Sequence, residues 1–217
     1  LATVFLTVAV IIGVIATPAS AAVRDPVLFV HGFSGWGSQW NELMGDFRNS
    51  GYAANELSAW SYDSTQSNVT IAQQLSGQVN ALLSRTGAAK VDIVAHSMGS
   101  LNSRYYLKFL GGTAKVDDWV SLGGPNHGTN IAGLCSLVLT SCREMQVGSA
   151  FLNNLNSGDE TPGAVRYGAF WSWCDEIINP DSSVPLSGAE NVNVGCIEHI
   201  YLMYSDSVSQ RVRSFVA

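Results

Sequence analysis

The chain has 217 residues, 47% of them hydrophobic, which is ample for one domain with a buried core. Charged residues make up 13% and the formal net charge is −6, against a usual charged share of about 25%. No cluster of Lys and Arg is present, so the composition argues against a nucleic-acid-binding protein.

Leu1 to Ile15 is almost entirely apolar, and Thr17-Pro18-Ala19-Ser20-Ala21-Ala22 follows with small side chains. Ala19-Ser20-Ala21 fits the A-x-A cleavage pattern, so residues 1–21 are expected to be a signal peptide. It lacks a basic segment and starts at Leu1, and so reads as N-terminally incomplete. The rival reading is a membrane anchor, for which roughly 15 apolar residues fall short of the ~20 a spanning helix needs. No stable anchor is expected after cleavage, and residues 22–217 are expected to form a single domain.

Pro26 to His31 reads as a buried strand leading into His31-Gly32-Phe33-Ser34-Gly35. Trp40, Leu43, Met44 and Phe47 recur at helical spacing until Gly51 stops the helix. Asn55 to Trp60 is a second strand. Ile71, Leu75, Val79, Leu82 and Leu83 mark the next helix, with Gly87 behind it. Lys90 to Ala95 is the third strand, Met98 to about Leu110 a helix, and Val116 to Leu122 the fourth strand. A looser region from Gly123 to Gly163 holds short helical stretches, including Ala150 to Leu155. Val165 to Trp171 and Asn191 to Val194 are the last strands, and Ile200 to Val216 is expected to close the chain as one helix. Strands alternating with helices predict an α/β fold of about six mostly parallel strands, covered by helices on both faces.

The third strand drops into Ala95-His96-Ser97-Met98-Gly99 and a helix follows at once. That is the nucleophile elbow of the α/β-hydrolases, which holds a serine hydroxyl on a strained turn, and small flanking residues let the turn fit. Ser97 needs a base, and four histidines are present. His31 is expected to order the glycine loop, His96 to point elsewhere, and His127 to serve its own loop. This fold orders its triad serine, acid, histidine, so His199 is the base and Asp175, just past the fifth strand, the acid. Glu176 and Asp181 are the neighbouring carboxylates passed over. The oxyanion donors are expected to be the backbone N–H groups of Met98 and Phe33. Trp36, Trp40, Trp60, Trp171, Trp173 and Ile200 are candidate linings of an acyl groove, more than half of them expected to be ordinary core or surface.

Four cysteines in an exported chain point to two disulfides, with three possible connectivities. The short spacing of Cys135 and Cys142 favours their pairing, which leaves Cys174 for Cys196. A metal site at Cys174, Cys196 and His199 fits no common zinc spacing, and neither metal nor cofactor is expected.

Ala95-His96-Ser97-Met98-Gly99, with Ala95 in the first small position, resembles the elbow of the small bacterial lipases of the Bacillus lipase A type, the class 2 lipases. Val120-Ser121-Leu122-Gly123-Gly124 is similar to that family's next strand, and the likeness runs from about Val27 to Val212. Asp175 and His199 fall where the family has its acid and base. The resemblance implies hydrolysis of triacylglycerols and other esters by a minimal α/β-hydrolase without a lid domain or structural metal. The cysteines, the Gly124-Pro125-Asn126-His127-Gly128 loop and the insert from Ile131 to Thr161 depart from the pattern. The function expected is thus a secreted, monomeric serine ester hydrolase whose partner is a lipid or ester substrate. Alternatives are a cutinase-like polyesterase, an acyltransferase with the same triad, and a non-catalytic binding protein on a hydrolase scaffold.

Overall fold

The computed structural model describes residues 24–217, so the expected signal peptide at 1–21 lies outside the described residues. Six strands form one sheet: β1 (Val27–Val30), β2 (Leu57–Trp60), β3 (Val91–His96), β4 (Val116–Leu122), β5 (Arg166–Trp171) and β6 (Glu190–Asn193). Their order is β2-β1-β3-β4-β5-β6, and every pairing is parallel. This sharpens the expectation of a mostly parallel sheet. Side chains alternate across the sheet, so β1 sends Val27 and Phe29 into one core, with Trp40, Phe47, Val120 and Phe215. It sends Leu28 and Val30 into the other, with Leu75, Ile93, Trp119 and Tyr167. Burial on both faces explains why the central strands read as unbroken apolar runs.

The helices are α1 (Asn41–Asn49), α2 (Asn68–Thr86), α3 (Gly99–Phe109), α4 (Thr140–Met145), α5 (Ala150–Leu155) and α6 (Asp206–Phe215). Ser67 caps α2 by accepting the Val69 N–H, and Gly87 ends it in the left-handed region at φ 73°, where glycine carries no Cβ penalty. Helices α4 and α5 are short helical stretches inside the looser region, α5 at the expected Ala150–Leu155 and α4 at bounds the sequence did not specify.

The closing helix differs from expectation. A 3-10 turn, His199–Met203, comes first, and α6 starts only at Asp206, after the extended Ser205. The first turn is tied to the loops beneath it through His199, whereas α6 lays Val208, Val212 and Phe215 into the core. The chain meets both demands by breaking at Ser205, with Asp206 favourably placed in the first turn of the new helix. Among the described residues no helix is long and apolar enough to cross a membrane.

Candidate active site

β3 ends at His96 and α3 starts at Gly99, leaving Ser97 in the turn at φ 54°, a region L-residues rarely occupy. The Ser97 N–H donates to the Leu122 carbonyl at 2.9 Å, pinning the turn to β4. Gly99 has no substitute: a Cβ there would lie 2.5 Å from the Val30 carbonyl oxygen and 2.6 Å from that of His31. Ala95 is buried among apolar side chains, so one methyl is accommodated at the first small position.

Asp175 follows β5 and is buried. Its Oδ1 accepts the N–H groups of Ile177 at 3.0 Å and Ile178 at 2.8 Å, and its Oδ2 accepts from His199 Nδ1 at 2.7 Å. Both carboxylate oxygens are therefore occupied, and the carboxylate cannot turn away from the ring. The carbon of Gly123, at φ 57°, sits against this pair. A Cβ there would come within 2.9 Å of Asp175 Oδ2 and 3.1 Å of His199 Nδ1. His199 Nε2 has no protein partner among the described residues and the ring lines the same cavity as Ser97.

Gly32 to Gly35 forms a turn closed by the Gly35 N–H to Gly32 carbonyl bond at 3.1 Å, with Ser34 at φ 56°. The Ser34 N–H is held by Ser64 Oγ at 2.8 Å. Neither the Phe33 nor the Met98 N–H has an intramolecular partner among the described residues. Phe33 lines the cavity that Ser97 faces, and Met98 follows Ser97 in the turn.

The other three histidines take distinct places. His31 stacks on Tyr62 at 3.9 Å and accepts the Tyr62 N–H at Nε2, 3.2 Å, so it orders the glycine loop. His127 bonds Ser183 O at 3.1 Å and Glu160 Oε1 at 2.9 Å, so beyond serving its own loop it ties that loop to two distant segments. His96 departs from expectation. It does not point elsewhere: its ring lies 4.6 Å from that of His199, and its Nε2 donates to the His199 carbonyl at 3.0 Å. Burial holds its pKa well below the ordinary histidine value. Glu176 was passed over as the acid, and its Oε2 accepts the His199 backbone N–H at 2.9 Å. Asp181 caps its own turn, accepting the Ser182 N–H. The signal for both His96 and Glu176 was adjacency: each is the sequence neighbour of a residue already singled out.

Two disulfides join Cys135 to Cys142 and Cys174 to Cys196. The second lies between the acid loop and the His199 loop. Buried Ser172 braces the same junction, accepting the Cys174 N–H at 3.1 Å and the Ile197 N–H at 2.9 Å.

A cavity of about 360 Å³ opens over these groups. Its apolar walls are Phe33, Ile131, Ala132, Leu134, Met145, Ile177, Ile178 and Ile200. Of the sequence candidates for the groove only Ile200 is among them, and the tryptophans are not. Trp40 is fully buried, while Trp36 and Trp173 are exposed. The linings come instead from two loops far apart in sequence, joined where Thr129 Oγ1 donates to the Ile177 carbonyl at 2.6 Å. Beyond the mouth, Leu134, Leu137 and Val138 are 87%, 93% and 78% exposed, the most exposed large apolar side chains among the described residues. No Asp, Glu, Lys or Arg occurs between Asp118 and Arg143, and the Arg143 guanidinium folds back onto this loop, donating to the Ser136 carbonyl at 3.3 Å.

The family description "Lipase (class 2)" matches residues 24–201. A triacylglycerol lipase of Burkholderia plantarii is 32% identical over 143 residues, covering 62% of this chain and 38% of that protein. One of Pseudarthrobacter phenanthrenivorans is 32% identical over 128 residues, covering 55% and 39%. The chain thus spans under two fifths of the length of these curated relatives. Among solved structures, the mature form of Bacillus licheniformis lipase BlEst2 superposes with a TM-score of 0.79 at 16% identity, covering 93% of this chain and 96% of that one. Aspergillus fumigatus lipase B gives 0.69 at 20% identity, covering 87% and 52%. These likenesses show the α/β-hydrolase fold. The chain belongs to the class 2 lipase family.

Proposed function

We propose that this member of the class 2 lipases is an exported serine ester hydrolase that cleaves acylglycerols and related carboxylic esters through an acyl-enzyme on Ser97. The observation that carries the reading is the 2.7 Å contact between Asp175 Oδ2 and His199 Nδ1, with His199 and Ser97 facing one apolar cavity.

In this reading His199 Nε2 removes the Ser97 hydroxyl proton as Oγ attacks the ester carbonyl. The carbonyl π electrons move onto oxygen, and the oxyanion accepts hydrogen bonds from the Phe33 and Met98 N–H groups. Asp175 keeps the imidazole in the Nδ1–H tautomer and stabilises the imidazolium. The imidazolium gives its proton to the departing alcohol oxygen as the acyl–oxygen bond breaks. A water then attacks the acyl-enzyme, its proton passing to His199 and on to Ser97 Oγ, and the carboxylic acid leaves. The acyl chain lies along Ile131, Leu134, Ile177 and Ile178, while the exposed apolar side chains of Leu137 and Val138 suit contact with a lipid surface.

The disulfides suit an oxidising compartment and hence export, and residues 22–217 make up one catalytic domain acting as a monomer. N-terminal sequencing of the secreted form tests the cleavage site.

The direct test is turnover of p-nitrophenyl esters from C2 to C16 beside emulsified triglyceride and a solid polyester. Ser97→Ala is expected to lower turnover by about 10⁶ with folding intact, by analogy with serine proteases. His199→Ala is expected to match it, and His127→Ala to lose less than about tenfold. Equal loss at His127 in a folded variant overturns the base assignment, and a polyester rate above the triglyceride rate favours the polyesterase.

A further inference from the structure

We infer that His96 and Glu176 form a two-point clamp on the backbone of His199 and are positioning residues for the base. The inference rests on the reading of Ser97, Asp175 and His199 given above. The His199 N–H donates to Glu176 Oε2 at 2.9 Å, and the His199 carbonyl accepts from His96 Nε2 at 3.0 Å. Both backbone polar groups of one residue are therefore held by side chains from elsewhere, one at the end of β3 and one in the loop after β5. Glu176 follows Asp175 in the chain, and His96 precedes Ser97. Each clamp residue is thus covalently joined to the triad member that the base must meet.

The geometry explains why an aspartate alone would not suffice. The bond from Nδ1 to Asp175 fixes how the ring is turned but leaves its root free to shift. His199 opens a 3-10 turn and follows a loop, so regular secondary structure supplies no partner for its N–H. The clamp holds that root, and with Asp175 the residue is fixed at three places. The His96 ring, 4.6 Å away, also limits the swing of the imidazole. The proton on His96 Nε2 is the one given to the carbonyl, and burial disfavours a second proton on the ring. A misplacement of about 1 Å in such a site costs on the order of 10²-fold in rate, which sets the scale of the clamp's contribution.

The test compares Glu176→Ala and Glu176→Gln, at an exposed side chain, with His96→Leu and His96→Gln, using a soluble short-chain p-nitrophenyl ester. Glu176→Ala and His96→Leu are expected to lower kcat by about tenfold or more with KM within about twofold. The glutamine at 176 keeps an acceptor and the glutamine at 96 keeps a donor at similar reach, so each recovers kcat to within about threefold of wild type. If His96→Leu fails to fold, the Glu176 pair decides. A folded Glu176→Ala enzyme with wild-type kcat, a loss confined to KM, or no recovery in Glu176→Gln overturns the clamp. Ser97→Ala runs beside them: turnover surviving there overturns the nucleophile assignment. A dead Ser97→Ala enzyme with unaffected clamp variants overturns the clamp alone.

Discussion

Cys174–Cys196 and Cys135–Cys142 each close a loop beside the same cavity, and the two loops differ in what they leave exposed. Within the first, the polar groups are spent on one another: Asp175 on His199 and two amides, Ser172 on two more, and Glu176 on the His199 N–H. The second turns Leu134, Leu137 and Val138 outward. Its backbone is nonetheless held, because Leu139 N–H bonds the Cys135 carbonyl at 3.0 Å, and Glu144 ties α4 to Ser67 and Asn68. Where atoms must stay within tenths of an ångström, the chain uses a closed hydrogen-bond network. Where a surface must be met, it holds the backbone still and leaves apolar side chains unburied.

The largest separation between the loops should come from Asp175→Asn set against a triple serine variant at Leu134, Leu137 and Val138. Loss of the carboxylate frees the wrong tautomer, and the corresponding change in a serine protease costs about 10⁴ in kcat. The triple variant is expected to keep its rate on a soluble ester and to adsorb about tenfold or more weakly to a neutral oil emulsion, since about 2 kcal/mol is at stake for each exposed aliphatic side chain fully buried. A drop on the soluble ester comparable with that of Asp175→Asn would break the comparison.

Next come the cysteine pairs. Cys174 and Cys196 are 22 residues apart and Cys135 and Cys142 seven. Chain-entropy arithmetic gives about 3 kcal/mol for the longer loop and about 2.5 kcal/mol for the shorter. Serine at 174 and 196 is expected to lower both Tm and kcat, because the bridge ties the acid loop to the base loop. Serine at 135 and 142 is expected to lower Tm and spare turnover of a soluble ester. Thermal melts and rates on one preparation check both, and equal kcat losses would mean that both loops govern alignment.

The smallest effect belongs near the opposite ends of the strands and serves as a control. Burial and the neighbouring Asp118 push the Asp92 carboxyl up to about 9. Unfolded, it loses its proton near the ordinary carboxyl value of 3.8 while the folded form keeps it. Stability therefore falls as pH rises from about 4 toward 9, and the penalty is absent below about 4. Asp92→Asn still accepts the Asp118 N–H, bonded at 3.0 Å. It should raise Tm at pH 8 by about 2–4 °C for each kcal/mol regained, with no gain at pH 4 and kcat unchanged. An equal gain at both values would show that the carboxyl does not titrate this way.

The sheet was legible because burial on both faces writes strands such as Val27–Val30 as apolar runs, and the elbow because strand, serine and helix stand in one short window. The pairing of Asp175 with His199 was legible through chain order, which depends on topology alone. The tryptophans misled because size and apolarity do not report direction: Trp40 has the composition of a groove lining and fills the core instead. Ile177, Ile178 and Thr129 carried no signal, since their meeting with Ile131 and Leu134 depends on loop closure over some 45 residues of sequence. The break at Ser205 was hidden because the apolar spacing continues through it. The orientation of His96 was hidden too, for a side-chain rotamer is chosen by its neighbours in space.

Gly123 has a consequence for anyone reshaping this enzyme by directed evolution. Its left-handed backbone and the 2.9 Å and 3.1 Å approaches to Asp175 and His199 close the position to every other side chain. A saturation library at 123 is expected to return only the parent, whereas Ile131, Leu134 and Ile177 form walls whose side chains can be resized without touching that pair. Screening effort aimed at new ester preferences is best spent there.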